Sequence, residues 1–253
     1  MSPMAGRAIA LIGAVLAIVG IFVTAFAGSS YWDIDGTLAS VGLALAILAA
    51  LCVAASSQGW ATDGWLAALG AVMIGYWGWF PSALAFDDWD LTRAGVWLTF
   101  AGGILVLLGA ATAIQAAGGA RSTPAGLSSG ALTAGIGIAL VFPGIFLDYS
   151  TGASYWNVPL LGHSLGIVML VLAVLAGLLW AAAAAGTGTR GLDVAVSLIL
   201  LGLVAFYPIG AAFNQLGDLD SGAWLALAGG ILAAGGTWAA RGIEMPHAAA
   251  APA

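Results

Sequence analysis

Apolar runs of about 20 residues follow one another along this chain of 253 residues, at about 7–27, 37–56, 64–82, 93–115, 129–148, 161–184, 192–214 and 222–240. At roughly 1.5 Å per residue in a helix, each reaches across a hydrocarbon core of about 30 Å. With 62% hydrophobic and 6% charged residues, the chain has too little polar surface to wrap a soluble globule of this size. It therefore belongs in a bilayer. Lipid offers no partner to a backbone N–H or C=O, which leaves helices or a closed barrel. The runs are continuous Leu, Ala, Val and Gly rather than alternating, so the expected fold class is all-α, a polytopic transmembrane bundle of eight helices. Arg7 ahead of the first run and Ala25-Phe26-Ala27 behind it have the layout of a signal peptide. The same run recurs in mid-chain, where no signal can sit, so the first is expected to be retained.

Five arginines and no lysine set the orientation, and together with abundant alanine they mark a GC-rich prokaryotic genome. With eight spans, Arg7, Arg121, Arg190 and Arg241 share one side and only Arg93 falls on the other. The positive-inside rule makes the shared side cytoplasmic, with both termini there and the chain in the cell membrane. Most acidic residues then face outward, among them Asp33, Asp87, Asp88, Asp90, Asp148 and Asp218, as do most aromatic residues. An interfacial belt accounts for single rings at headgroup depth, but not for that asymmetry.

The chain also repeats itself. A shift of 124 places Gly13 on Gly137, Gly42 on Gly166, Gly20-Ile21-Phe22 on Gly144-Ile145-Phe146 and Ser30-Tyr31-Trp32 on Ser154-Tyr155-Trp156. A shift of 127 places Gly75 on Gly202, Pro81 on Pro208, Trp97 on Trp224 and Ala101-Gly102-Gly103-Ile104-Leu105 on Ala228-Gly229-Gly230-Ile231-Leu232. The expected organisation is a tandem duplication of a four-helix unit, at 1–115 and 129–242, with a Gly/Ser/Pro linker at 116–128 and a disordered tail at 243–253. Even numbers of spans give the two units the same orientation, related by an axis along the membrane normal. A fainter echo, Trp32-Asp33 against Trp89-Asp90, makes one helical hairpin the elementary unit.

Phe142-Pro143-Gly144 through Ser150, followed by Trp156-Asn157, resembles the hairpin of the SPW-repeat integral membrane proteins, as do Phe80-Pro81-Ser82 with Trp89-Asp90 and Tyr207-Pro208. The resemblance implies helical hairpins, each a helix, a short polar turn and a second glycine-bearing helix. Ser-Pro-Trp itself is absent, and Val19 stands where the first hairpin would carry its proline.

Little chemistry is available. The histidines are His163 and His247, and the one cysteine, Cys52, lies in an apolar run, which disfavours a metal site. No phosphate-cradling loop and no basic patch occurs, so neither a cofactor nor nucleic acid is expected. No ionisable residue falls at the centre of a predicted span, which disfavours proton coupling.

Pro81, Pro143 and Pro208 are expected to kink or end helices near the outer side. The candidate site is an outward rim of Tyr31, Trp32, Asp33, Trp89, Asp90, Asp148, Tyr155, Trp156 and Asn157, where carboxylates beside rings suit an ammonium or guanidinium group. Gly102, Gly103, Gly109, Gly229, Gly230, Gly235 and Gly236 let helices approach closely, either at the axis between the units or inside each unit.

Three functions stay open at this point. One is a non-enzymatic accessory or scaffold subunit, whose partners are the lipid bilayer, other membrane proteins or a second copy. Another is a carrier or channel for a small cation or lipid-like solute. The third is an intramembrane enzyme built on carboxylates such as Asp148 with His163.

Overall fold

The computed structural model describes residues 2–26, 28–79, 81, 92–118, 128–150, 152–157, 164–186, 189, 191–211 and 219–241. Statements below concern these residues. Trp89, Asp90, Arg121, His163, Arg190, His247 and the tail lie outside them, as does most of the linker.

The chain is mostly helical. In order, the elements are α1 (Pro3–Phe22), β1 (Thr24–Phe26), β2 (Ser29–Ser30), α2 (Tyr31–Ile34), α3 (Gly36–Ser57), α4 (Asp63–Trp77), α5 (Ala94–Ala116), α6 (Ser129–Phe146), β3 (Asp148–Ser150), β4 (Ala153–Ser154), α7 (Ser164–Ala184), α8 (Leu192–Ala211) and α9 (Ser221–Arg241). Each predicted apolar run overlaps one of the longer helices. Six of them, α1, α3, α5, α6, α7 and α9, are long and apolar enough to cross a membrane. α4 is shorter than expected, because it stops at Trp77 where the sequence suggested a run to 82, and the apolar stretch of α8 is Leu192–Phe206.

The closest packing is between α1 and α5, and between α6 and α9. Glycines seven apart, two helical turns, put one small residue after another on the same face. Gly6, Gly13 and Gly20 on α1 oppose Gly109, Gly102 and Gly95 on α5, so these helices run antiparallel. A Cβ built on Gly13 would stand 2.6 Å from the Gly102 carbonyl oxygen, and one on Gly102 the same distance from that of Gly13. In the second half Gly130 and Gly137 on α6 oppose Gly236 and Gly229 on α9, and a Cβ on Gly137 would stand 2.6 Å from the Gly229 oxygen. Gly144 instead meets Ala226, and Gly222 meets the carbonyls of Leu147 and Asp148. Any larger side chain would meet backbone, which cannot move aside. Where apolar association is not driven by water, such backbone contact supplies the dispersion energy that holds helices together.

The glycines expected on spans four and eight thus divide between two neighbours. Gly102 and Gly109 face α1 while Gly103 faces α4; Gly229 and Gly236 face α6 while Gly230 faces α8; Gly235 meets nothing within 4 Å. The glycines of α5 and α9 pack inside their own halves, while the Trp238 ring of α9 reaches across to Trp65 of α4 at 5.5 Å. The main contact between the halves is made by α4 and α8, where a Cβ on Gly202 would stand 3.1 Å from the Gly75 Cα, and the Trp79 ring, just past α4, stacks on Phe206 with centroids 5.0 Å apart. Both pairings keep the same sequence offset, so α4 and α8 run in the same direction.

Small residues dominate what is buried. Ala10, Ala14, Ala17, Ala134, Ala226 and Ala233 are fully or almost fully enclosed, whereas Ile12, Leu51, Val171 and Leu178 are each more than half exposed. Large rings such as Trp77 and Tyr76 are buried too, but many large aliphatic side chains face outward while alanine and glycine line the helix contacts. That is the arrangement a lipid-facing bundle requires, and the protein is membrane-embedded.

Candidate functional site: the hairpin end of the bundle

The phrases that repeat in the sequence build two matching caps. After α1 the chain forms an antiparallel ribbon, β1 on β2, and after α6 a second, β3 on β4. Thr24 pairs with Ser30 and Asp148 with Ser154, which are equivalent positions 124 apart. The turns contain Gly28 at φ 94° and Gly152 at φ 73°, left-handed conformations that glycine adopts without a Cβ penalty. Because α4 and α8 are parallel and each half is antiparallel within itself, both ribbons emerge at the same end. Each is tied to the start of the incoming helix of its half through the backbone: Arg93 N–H donates to Ala25 O at 2.9 Å, and Asp220 N–H to Tyr149 O at 3.0 Å.

Just past the ribbons the chain turns, into the helical turn α2 on the first side and a tight turn on the second, and adjacent aromatic residues there diverge, by about 100° in a helix. Tyr31 is 1% exposed and Tyr155 fully buried, so neither stands on a surface rim. The Tyr31 ring lies 4.6 Å from Trp77, and Tyr155 lies 4.8 Å from Tyr149 and donates from its hydroxyl to Val204 O at 3.4 Å. Burial pushes the Tyr31 hydroxyl well above its ordinary pKa. Trp32 and Trp156 are the rings nearer the surface. Trp32 stacks on Phe22 at 5.8 Å, and Trp156 tilts against Phe146 at 5.1 Å.

The carboxylates of the first phrase are committed to backbone. Ser30 and Asp33 form a capping box: Ser30 N–H and Oγ donate to Asp33 Oδ2 at 2.9 and 2.7 Å, and Asp33 N–H donates to Ser30 Oγ at 3.3 Å. Those bonds favour the charged form and hold the Asp33 carboxyl below the usual carboxylate range. Asp35 Oδ1 accepts from Thr37 and Leu38 N–H at 2.7 and 3.2 Å and caps α3. The second phrase keeps the cap in neutral form, with Asn157 N–H donating to Ser154 Oγ at 3.1 Å and to Ser154 O at 3.0 Å. Asp148 and Asn157 are exposed. Both caps were readable as Ser-x-x-Asp and Ser-x-x-Asn; the sequence reading weighed those acids for ligand binding and passed over their spacing from the serines.

The prolines sit as follows. α6 and α8 run through Pro143 and Pro208, and Pro81 lies beyond the end of α4. Trp89 and Asp90, the third part of the candidate rim, lie outside the described residues.

At the opposite end a polar cluster escaped notice in the sequence because its members are 56 residues apart. Arg7 Nε and Nη2 donate to Asp63 Oδ1 and Oδ2 at 3.1 and 2.8 Å, a two-pronged pairing that joins α1 to α4. Ser56 Oγ donates to the same carboxylate at 2.8 Å, and Thr62 Oγ1 donates to Cys52 O at 2.7 Å, so the end of α3 is included. Among the described residues no three His, Cys, Asp or Glu side chains converge as a metal site would need. The chemistry this end offers is structural: an ion pair with a hydroxyl shell. No family model, curated protein or solved structure matches this chain.

Proposed function

We propose that this protein is a non-enzymatic multi-pass membrane protein that acts as an accessory or scaffold subunit. In this reading the eight long helices all span the membrane as two tandem four-helix repeats, both termini are cytoplasmic, and the ribbons face outward. The resemblance to SPW-repeat proteins belongs to the same proposal. The observation that carries it is the glycine packing. Backbone-to-backbone approach along α1–α5 and α6–α9, with Gly75 on Gly202 and Trp79 on Phe206 between the halves, is the close packing that a protein acting by assembly uses. What remains distinctive is the outer surface, where Trp32, Asp148, Trp156 and Asn157 offer rings, a carboxylate and an amide to another protein.

Orientation is testable in a Cys52→Ser background. A cysteine replacing Trp32 should react with an impermeant maleimide from outside intact cells, and one replacing Trp60 only after permeabilisation. The reverse pattern would invert the topology. For the role itself, a partner should co-purify from cross-linked membranes in near-stoichiometric amount and be lost from the Trp32→Ala/Trp156→Ala variant at unchanged expression. Flux of a small cation through proteoliposomes, abolished by Asp148→Asn, would instead support the carrier.

A further inference from the structure

The contact between the halves has a property that ordinary inter-domain contacts lack. Residues equivalent under the 127-residue shift touch each other: Gly75 meets Gly202, and Trp79 stacks on Phe206 at an interplanar angle of 13°. Neighbouring contacts are reciprocal as well. A Cβ on Gly75 would run into the carbonyl of Ile199, and one on Gly202 into the carbonyl of Val72; Val72 and Ile199 are themselves 127 apart. When residue i meets j' and j meets i', the two surfaces are the same patch used twice, which is the definition of an isologous, twofold contact. The buried clusters support this. Phe206 from the second half belongs to the core of the first, and Trp79 from the first half packs on both cores.

We infer that the surface centred on Gly75 and Trp79 is a self-complementary association face, whose partner is a second four-helix unit carrying the same face, and that it holds the two units together without the chain that joins them. The inference rests on the tandem-repeat reading above, but it concerns assembly rather than role. The face suits its partner in shape and chemistry. A glycine at the crossing lets the two backbones touch, a ring one turn further on covers the contact, and Val72, Gly75, Trp79, Ile199, Gly202 and Phe206 are all uncharged.

The test uses the full chain. A protease site is inserted at residues 119–127, an affinity tag is placed on the first unit, and the protein is cleaved after purification in mild detergent. The untagged unit is expected to stay on the affinity resin and to elute with the tagged one at the size of the uncleaved protein. Separation on cleavage alone would overturn the inference. In the cleaved protein, Gly202→Leu should release the untagged unit, whereas Gly235→Leu, which meets no neighbouring atom, should not. Retention of the Gly202→Leu unit would also overturn it, by placing the association elsewhere. Trp79→Ala guards against a variant that simply misfolds: it removes the ring stack without a backbone clash and should speed exchange of the untagged unit against a labelled excess. Each outcome is independent of whether the protein has a scaffolding partner.

Discussion

The two halves share a skeleton and differ in what fills it, and the difference separates what the fold demands from what it tolerates. Shared are the heptad-spaced glycines, the ribbons, the Ser caps and the backbone bond from the incoming helix to the ribbon. These involve backbone on at least one side, so no compensating side-chain change can replace them. The infill diverges freely. Gly42 and Gly166 are equivalent, yet Gly42 makes room for the Trp77 indole whereas Gly166 makes room for the Trp156 backbone. The ends away from the ribbons diverge further. Where the first half places Arg7, the second has Ala131, whose carbonyl accepts from Trp180 Nε1 at 2.6 Å. Asp193, 3% exposed, accepts from Thr189 Oγ1 at 2.8 Å in that half.

The strictest break of this comparison is in the shared part. Gly13→Leu and Gly137→Leu each drive a branched side chain into backbone 2.6 Å away on the partner helix. Overpacking of this kind costs about 1–3 kcal/mol where neighbours can yield, and backbone yields least, so both variants should sit at or beyond the top of that range. Thermal unfolding in detergent measures it. Equal losses support equivalent roles for the two helix pairs. A loss confined to one half would show that only one pair carries the fold.

In the divergent part the effects should be smaller and unequal. Arg7→Ala strips the counter-charge from Asp63, a pair whose side chains are 20% and 16% exposed, and should cost about 1.5–3 kcal/mol, the range for hydrogen bonds to charged groups. Adding Asp63→Asn to Arg7→Ala should return part of that loss, because the carboxylate then no longer sits part-buried without its cation. If the double variant is as unstable as the single one, the pair is not coupled. Trp180→Phe removes the indole donor to Ala131 O together with part of the ring packed over Gly135, and should cost at least about 1 kcal/mol, the share of a neutral hydrogen bond. A larger loss for Trp180→Phe than for Arg7→Ala would reverse the ranking of the two ties.

How far the sequence was legible follows the same division. Apolar runs report helices because lipid leaves the backbone no alternative, and all eight overlap a helix in the structure. The partner of each glycine was not readable, because adjacent residues on a helix point about 100° apart. Gly102 and Gly103 read as one motif but serve different neighbours. Seven-residue spacing, at 6, 13 and 20 and at 95, 102 and 109, was the signal that would have separated them. At the candidate site, "SYWD" reads as an aromatic rim only if its residues share a face. The helical turn that follows the ribbon buries Tyr31 and leaves Trp32 exposed, and a single four-residue turn has too little periodicity to show in a chain dominated by long helical runs. The Arg7–Asp63 pair was hidden for a third reason, since nothing in the sequence says that α1 and α4 begin at neighbouring points.

The smallest expected effect lies where the halves are nearly identical and differ by one charge. Asp33 and Asn157 occupy equivalent capping positions, and only Asp33 can titrate. Its carboxyl is held below the ordinary carboxylate range by the Ser30 bonds, so its share of cap stability is present above that range and is lost as pH falls through the lowered value. Hydrogen exchange of the peptide containing Ser30–Asp33 should therefore accelerate in acid relative to the peptide containing Ser154–Asn157, once intrinsic rates are divided out. Asp33→Asn should make the two peptides respond alike, and Asn157→Asp should confer the acid sensitivity on the second. Identical pH profiles in the wild-type protein would show that the cap bonds of Asp33 contribute nothing beyond those its neutral counterpart makes, and the electrostatic distinction between the two caps would be without consequence for the fold.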